Sequence, residues 1–174
     1  MRMNGRWRPM EAADLERVMA IAEVVHPDYP EDRAVFAERL ALYPDGCAMA
    51  EASGAESDGA CIGYIVMHPG RLGAPPPLDA ALGALPDAPD CLYLHDVALL
   101  PAARGLGLGA AALERMNALA ARQGFRWLAL TSTPGARAFW DAQGFLPHDG
   151  GPGLAAKLAS YGGGMTYMTK PVTS

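Results

Sequence analysis

The chain has 174 residues, 51% hydrophobic and 19% charged, which suits one folded domain over 1–174 and excludes a disordered polymer. Its formal net charge of −5 argues against a nucleic-acid partner, which needs a basic surface. No apolar run approaches the roughly 20 residues of a membrane span, and the first residues lack the apolar core of a signal peptide, so no membrane partner and a cytoplasmic location are expected. Cys47, Cys61 and Cys91 each sit in apolar strand-like runs and read as small buried hydrophobes rather than a disulfide set or a metal site.

Residues Glu11 to Val25 set Leu15, Val18, Met19, Ala22 and Val25 on one helical face, and Pro27 ends that pattern. A second helix is expected from Pro30 to Tyr43, with Pro44 as its stop. Cys47 to Ala52 and Ala60 to Met67 read as strands joined by a hairpin turn. Pro69 to Pro89 is a long Pro/Gly/Ala-rich loop, either functional or a solvated connector. Leu92 to Leu99 is an apolar strand expected at the centre of a sheet. The helix after it aligns Leu108, Ala112, Met116 and Leu119, with Gly124 as its C′ residue. Phe125 to Ser132 returns as a strand and completes a right-handed βαβ unit. Thr133-Pro134 opens a short helix to Gln143, and a last strand is expected over Met165 to Lys170.

Between the central strand and its helix lie Arg104, Gly105, Gly107 and Gly109. Glycines here leave backbone N–H groups uncovered at a helix N-terminus, where the macrodipole adds positive charge, a socket for phosphate or pyrophosphate. A Walker loop needs a Lys-Ser/Thr pair where this chain has Ala110-Ala111. A dinucleotide fingerprint through Gly105, Gly107 and Ala110 needs an acid ending the next strand, which reads Leu130-Thr131-Ser132. The remaining reading is an Arg-x-x-Gly-x-Gly loop, Arg104-Gly105-Leu106-Gly107-Leu108-Gly109.

In that loop the chain resembles the GNAT N-acetyltransferases, which hold the pyrophosphate of acetyl-CoA there. Val97-Ala98-Leu99-Leu100-Pro101 is similar to the family's run into the loop. Ala136, Phe139, Trp140, Gly144 and Phe145 match the pattern Asn-x-x-Ala-x-x-Phe-Tyr-x-x-x-Gly-Phe, with Thr133 in place of Asn and Trp140 in place of Tyr. Tyr161-Gly162 and Tyr167-Met168 resemble a common family ending. The resemblance implies an α+β fold, a GNAT-like mixed β-sheet flanked by helices in the order β-α-α-β-β-β-α-β-α-β. It implies direct transfer of an acetyl group from acetyl-CoA to a primary amine of a small molecule or peptide in a ternary complex, without a metal. A non-catalytic acetyl-CoA sensor is the alternative, and a homodimer is left open. The cofactor-binding set implied is Val97, Ala98 and Leu99, supplying backbone to pantetheine and an oxyanion donor, with Arg104, Gly105, Leu106, Gly107, Leu108, Gly109 and Ala110 as the loop. Trp140, and Arg137 one turn before it, complete that set.

An ammonium acceptor must lose a proton before it attacks. Strand alternation puts Tyr93, His95 and Val97 on one face, and Leu94 and Asp96 on the other. In the histone-modifying branch of the family a glutamate on this strand is the base, and its position falls on Tyr93. His95 follows on the same face, and imidazole is the side chain suited to proton transfer near neutrality. Asp96 is a second candidate if a bulge splays the strand, a water relay is a third, and His68 borders the long loop. The family's tyrosine protonates the departing thiolate, whereas the Trp140 indole N–H donates a hydrogen bond only. That step is left to water, the substrate's proton or another tyrosine such as Tyr161. The acceptor region falls on His26 to Pro30 and its flanks and on Pro69 to Pro89; Asp28, Glu31 and Asp32 there suit a cationic amine.

Overall fold

The computed structural model describes residues 4–54 and 59–174, so the expected hairpin turn after Ser53 lies partly outside the described residues. The elements are β1 (Asn4–Pro9), α1 (Leu15–Val25), α2 (Arg33–Leu42), β2 (Cys47–Ser53), β3 (Cys61–Gly70), β4 (Cys91–Leu99), α3 (Leu108–Gln123), β5 (Trp127–Ser132), α4 (Arg137–Ala142), β6 (Leu146–Pro147), α5 (Gly151–Ala159) and β7 (Thr166–Pro171). The expected mixed sheet with flanking helices is present, with strand β6 and helix α5 added between α4 and the last strand. Neither announces itself. β6 is two residues long and α5 begins Gly-Pro-Gly, a composition that reads as a turn.

The seven strands form one sheet in the order β1-β2-β3-β4-β5-β7-β6, antiparallel except for the β4–β5 pair. Period-two alternation splits its side chains between two faces. On one, Leu92, Leu94, Leu128 and Leu130 pack with Ala112, Met116 and Leu119 of α3 and Trp140 of α4. On the other, Cys47, Met49, Tyr64 and Val66 meet Val18, Ile21 and Phe36 of α1 and α2, and Cys91, Tyr93 and Ala129 meet Leu154 of α5. Burying each Leu, Ile, Phe or Met side chain here stabilises the fold by about 1.5–3 kcal/mol before the entropy of ordering is subtracted.

The entry to α1 is pinned by a capping box between Glu11 and Asp14, and Asp14 also receives both Arg8 Nη atoms at 2.8 and 2.7 Å. The hydrogen bond from Arg8 holds the Asp14 carboxyl below the usual range, against the opposing effect of burial. At the other end of the βαβ unit, Gly124 closes α3 in the left-handed conformation (φ 76°), as its sequence position predicts.

One irregularity matters for function. β3 and β4 pair Val66 with Asp96 but Met67 with Leu94, so His95 is an extra residue on β4 with nothing opposite it. This bulge corrects the simple alternation. Leu94 and Val97 both pack with the α3 side, whereas Tyr93, Asp96 and Ala98 belong to the side covered by α1, α2 and α5. Val97 therefore leaves the face of Tyr93, and Asp96 joins it.

Candidate active site

β4 carries the site. Its pairing with β5 runs from Cys91 to Leu94 against Trp127 to Leu130 and then stops, although β4 continues to Leu99. Beyond Leu94 the two strands part. Leu100 N–H donates to Ile62 O on β3 at 2.8 Å, so alternation turns the Val97 and Leu99 N–H groups away from β3 and into the gap. Two cavities adjoin it. One of about 290 Å³ extends toward the His26–Glu31 connection and the 71–90 segment, and one of about 120 Å³ lies between β4, α3 and α4. Leu94, Val97, Phe139 and Trp140 border both.

Two histidine–carboxylate pairs stand side by side at the larger cavity. His26, which closes α1, places Nε2 2.9 Å from Asp96 Oδ1 and 3.0 Å from Val97 O. Both neighbours accept, which assigns the proton of the neutral ring to Nε2 and leaves the lone pair on Nδ1. Asp96 Oδ2 accepts in turn from the Tyr64 hydroxyl. Burial pulls the His26 pKa down, but the hydrogen bond and charge of Asp96 and the Val97 carbonyl together outweigh it, and the net shift is upward from 6.5. In the second pair His95 Nε2 lies 2.7 Å from Glu31 Oε1. Glu31 Oε2 accepts the Asp79 N–H at 3.0 Å, and Asp79 Oδ1 accepts the Asp32 N–H at 2.7 Å. Glu38 accepts from the N–H groups of Leu82 and Gly83, at 2.6 and 3.1 Å. The long loop is thus strapped to α2 and its entry, and Pro76, Pro77 and Leu78 wall the cavity.

The bulge explains why His95 and Asp96, adjacent in sequence, both reach this cavity. His68 lies below, buried, its ring 6.2 Å from that of His95, and burial pushes its pKa down to about 4. Tyr93 exchanges a hydrogen bond with Thr131 Oγ1 at 2.8 Å, and burial raises its pKa, so it keeps its proton. Tyr161 donates to Pro76 O, and burial pushes it up to about 12. Of the acidic residues before α2, Glu31 is turned inward to His95, Asp32 caps α2 by accepting from Ala34 N–H at 3.2 Å, and Asp28 is exposed.

The glycine loop lies at the N-terminus of α3. Gly105 and Gly107 have φ of 77° and 72°, a left-handed backbone that glycine adopts freely, and a Cβ built on either meets no atom within 4 Å. The first bond into α3 runs from Ala111 N–H to Gly107 O at 3.1 Å, so the N–H groups of Leu108, Gly109 and Ala110 have no partner within the helix. Leu108 is buried with Ala50, Ile62 and Ala103, and the Trp7 indole N–H holds its carbonyl at 3.0 Å, so the loop is anchored from behind. Arg104 is exposed beside it. Open N–H groups on an anchored backbone at a helix N-terminus fit a pyrophosphate.

Trp140 is buried, packed edge-on against Phe139 and Phe145, and borders both cavities. Arg137 borders neither: its guanidinium bonds Asp141 at 3.1 Å and Thr166 Oγ1 at 3.3 Å. Among the described residues, no three His, Cys, Asp or Glu side chains converge as metal ligands.

Sequence reasoning placed His26 and Glu31 in the acceptor region and read Glu31 only as one of three acids suited to a cationic amine, with no role for His26. The available signal was local: a histidine and an acid flanking the Pro27–Pro30 break after α1, which Pro27 keeps from continuing as helix. Their partners, His95 and Asp96, lie more than sixty residues away, and only the bulge brings the four together.

The acetyltransferase (GNAT) family profile matches residues 11–145, and the chain belongs to that family. No curated protein matches the chain in sequence. Among solved structures, the loading GNATL domain of CurA from Lyngbya majuscula superposes with a TM-score of 0.75 at 15% identity, covering 97% of this chain and 98% of that one. Ard1 from Thermoplasma volcanium gives 0.70 at 15% identity over 98% and 99% of the two chains. Arabidopsis thaliana Naa50 in complex with the bisubstrate analogue CoA-Ac-MVNAL gives 0.63 at 15% identity over 96% and 98%. At such identities the likeness establishes the fold.

Proposed function

We propose that the protein transfers the acetyl group of acetyl-CoA to a primary amine of a small molecule or peptide, directly, with both substrates bound at once. The observation that carries this is the parting of β4 and β5 beyond Leu94. A narrow cavity and an open glycine loop lie on one side of that gap, and a wider cavity with a histidine–carboxylate pair lies on the other. The loop N–H groups take the pyrophosphate, and the bare edge of β4 at Val97 to Leu99 pairs with the pantetheine amides as an added strand would. Naa50, of the same fold, was captured with CoA and a peptide joined in one bisubstrate analogue, which supports a ternary complex here.

The chemistry then follows from the residues. His26 Nδ1 takes a proton from the acceptor ammonium, and Asp96 stabilises the imidazolium through Nε2–H. The freed amine forms a bond to the thioester carbon, and charge collects on the carbonyl oxygen opposite the Val97 N–H. The C–S bond breaks, the attacking nitrogen gives up its second proton to become a neutral amide, the CoA thiolate takes that proton directly or through water, and His26 returns the first proton to solvent. Asp96, a candidate base by its sequence position, here orients and stabilises His26 and does not itself take the proton. His95 is held by Glu31 and orients the acceptor wall. Trp140 packs as a wall between the two cavities and supplies no proton.

CoA release measured with a panel of amines tests this reading. Amine-dependent thiol release from the parent protein is expected, and it drops sharply in His26→Gln. Binding of acetyl-CoA without release for any amine would make the protein a sensor instead.

A further inference from the structure

The identity of the acceptor amine is written in the wall opposite the gap. Tyr29, Pro76, Pro77, Leu78, Tyr161 and Met165 form that wall, and none carries a charge. Among the described residues, the charged or titratable groups at the cavity besides its tyrosines are Glu31, Asp96, His26 and His95, and no lysine or arginine borders it. Arg39 is fully enclosed, bonds Glu38 at 2.8 Å and does not line the cavity. A carboxylate next to the acceptor's amine would lose its water in a cavity whose two histidines are already taken by Asp96 and Glu31, with no lysine or arginine there to meet it. A second ammonium along the acceptor would fare little better. Asp96 is already engaged by His26 and Tyr64, and Glu31 by His95 and the Asp79 N–H, so a distal charge would face proline, leucine and methionine. The volume of about 290 Å³ must also hold the reacting thioester end, which leaves room for one short side chain.

Resting on the acetyl-transfer reading, we infer that the acceptor is a primary monoamine on a short apolar or aromatic body, with no carboxylate beside the amine. The loop makes the selection. Pro75-Pro76-Pro77 stiffens it, the Tyr161 hydroxyl bonds Pro76 O, and Glu31, Asp32 and Glu38 hold it over the cavity, so the apolar wall is fixed in place.

The test compares acceptors that differ in one group, by CoA release from the full chain at one pH. Phenethylamine is expected to exceed phenylalanine in kcat/KM by about 100-fold, since the two differ by a carboxylate that this wall cannot solvate, and to exceed spermidine by about tenfold. A tripeptide amide beginning with phenylalanine carries the same recognised chemistry. A rate above that of phenethylamine places it on a peptide N-terminus, and a lower rate places it on a free amine. Phenylalanine, glutamate or spermidine performing as well as phenethylamine would overturn the inference while leaving acetyl transfer standing. Release with no amine at all would overturn both. Leu78→Arg, on the partly exposed loop, gives an independent check. A cation at the mouth is expected to narrow the phenethylamine-to-phenylalanine ratio at least about tenfold by improving phenylalanine. An unchanged ratio would show that this wall does not select.

Discussion

His26–Asp96 and His95–Glu31 are the same chemical pair built twice, crosswise, on neighbouring residues of one bulged strand. They differ in burial and in what lies beyond them. The first is open, its side chains 30% and 14% exposed, and its carboxylate is backed by a tyrosine hydroxyl. The second is closed, at 5% and 6%, and its carboxylate runs on to the backbone of the 71–90 loop. A base must meet its substrate and a strap must be kept from water, so in the proposed mechanism the open pair handles the proton and the closed pair holds the wall. Identical groups take different work from their surroundings.

That contrast can be broken from either side. The largest effect is expected from the open pair: Asp96→Asn or His26→Gln lowers kcat/KM by about 10²–10⁴-fold, the usual worth of acid–base catalysis, while calorimetry finds acetyl-CoA binding within about twofold of the parent. At the far end of the gap, Gly107→Val places a branched side chain on a backbone at φ 72° and on the open face of the loop. CoA affinity is expected to fall at least tenfold, about 1.4 kcal/mol, read by calorimetry at a temperature where the variant is folded, since a β-branched residue at this φ also lowers the melting temperature. The closed pair gives the smallest effect on turnover. Glu31→Gln keeps an acceptor for Asp79 but loses the charge facing His95, so thermal unfolding should register a loss of about 1–2 kcal/mol while kcat moves less than about threefold. A reversal, in which Glu31→Gln abolishes turnover and His26→Gln only destabilises, would exchange the roles of the two pairs.

The βαβ unit and its loop were legible in the sequence because every signal there is local. The apolar run of β4, the glycines, the helical stripe of α3 and Gly124 all lie within a few turns of one another. The helix α5 was not, since a Gly-Pro-Gly start carries turn chemistry and its apolar contact, Leu154 against the Tyr93 and Tyr167 layer, comes from elsewhere in the fold. The site was half legible. His95 and Asp96 could be named, but period-two alternation put them on opposite faces, and a bulge has no signature in one strand when its cause is the register against β3. The same blindness hid the roles of His26 and Glu31, whose partners are set by that register. Arg137, a cation near the cofactor end in sequence, is a partly exposed side chain that bonds Asp141 and Thr166.

The central claim is that His26, raised by Asp96, takes the acceptor's proton, and its most direct test is the pH dependence of kcat/KM in the parent and in His26→Gln. The base is active only when neutral, so in the parent the rate falls as pH drops through a limb lying above the ordinary imidazole value of 6.5. A further limb at higher pH comes from the acceptor's own ammonium. In His26→Gln the lower limb should vanish and the plateau drop, leaving the acceptor's limb where it was. Should the lower limb persist at the same pH in His26→Gln, the proton goes to another group and the assignment of the open pair is wrong.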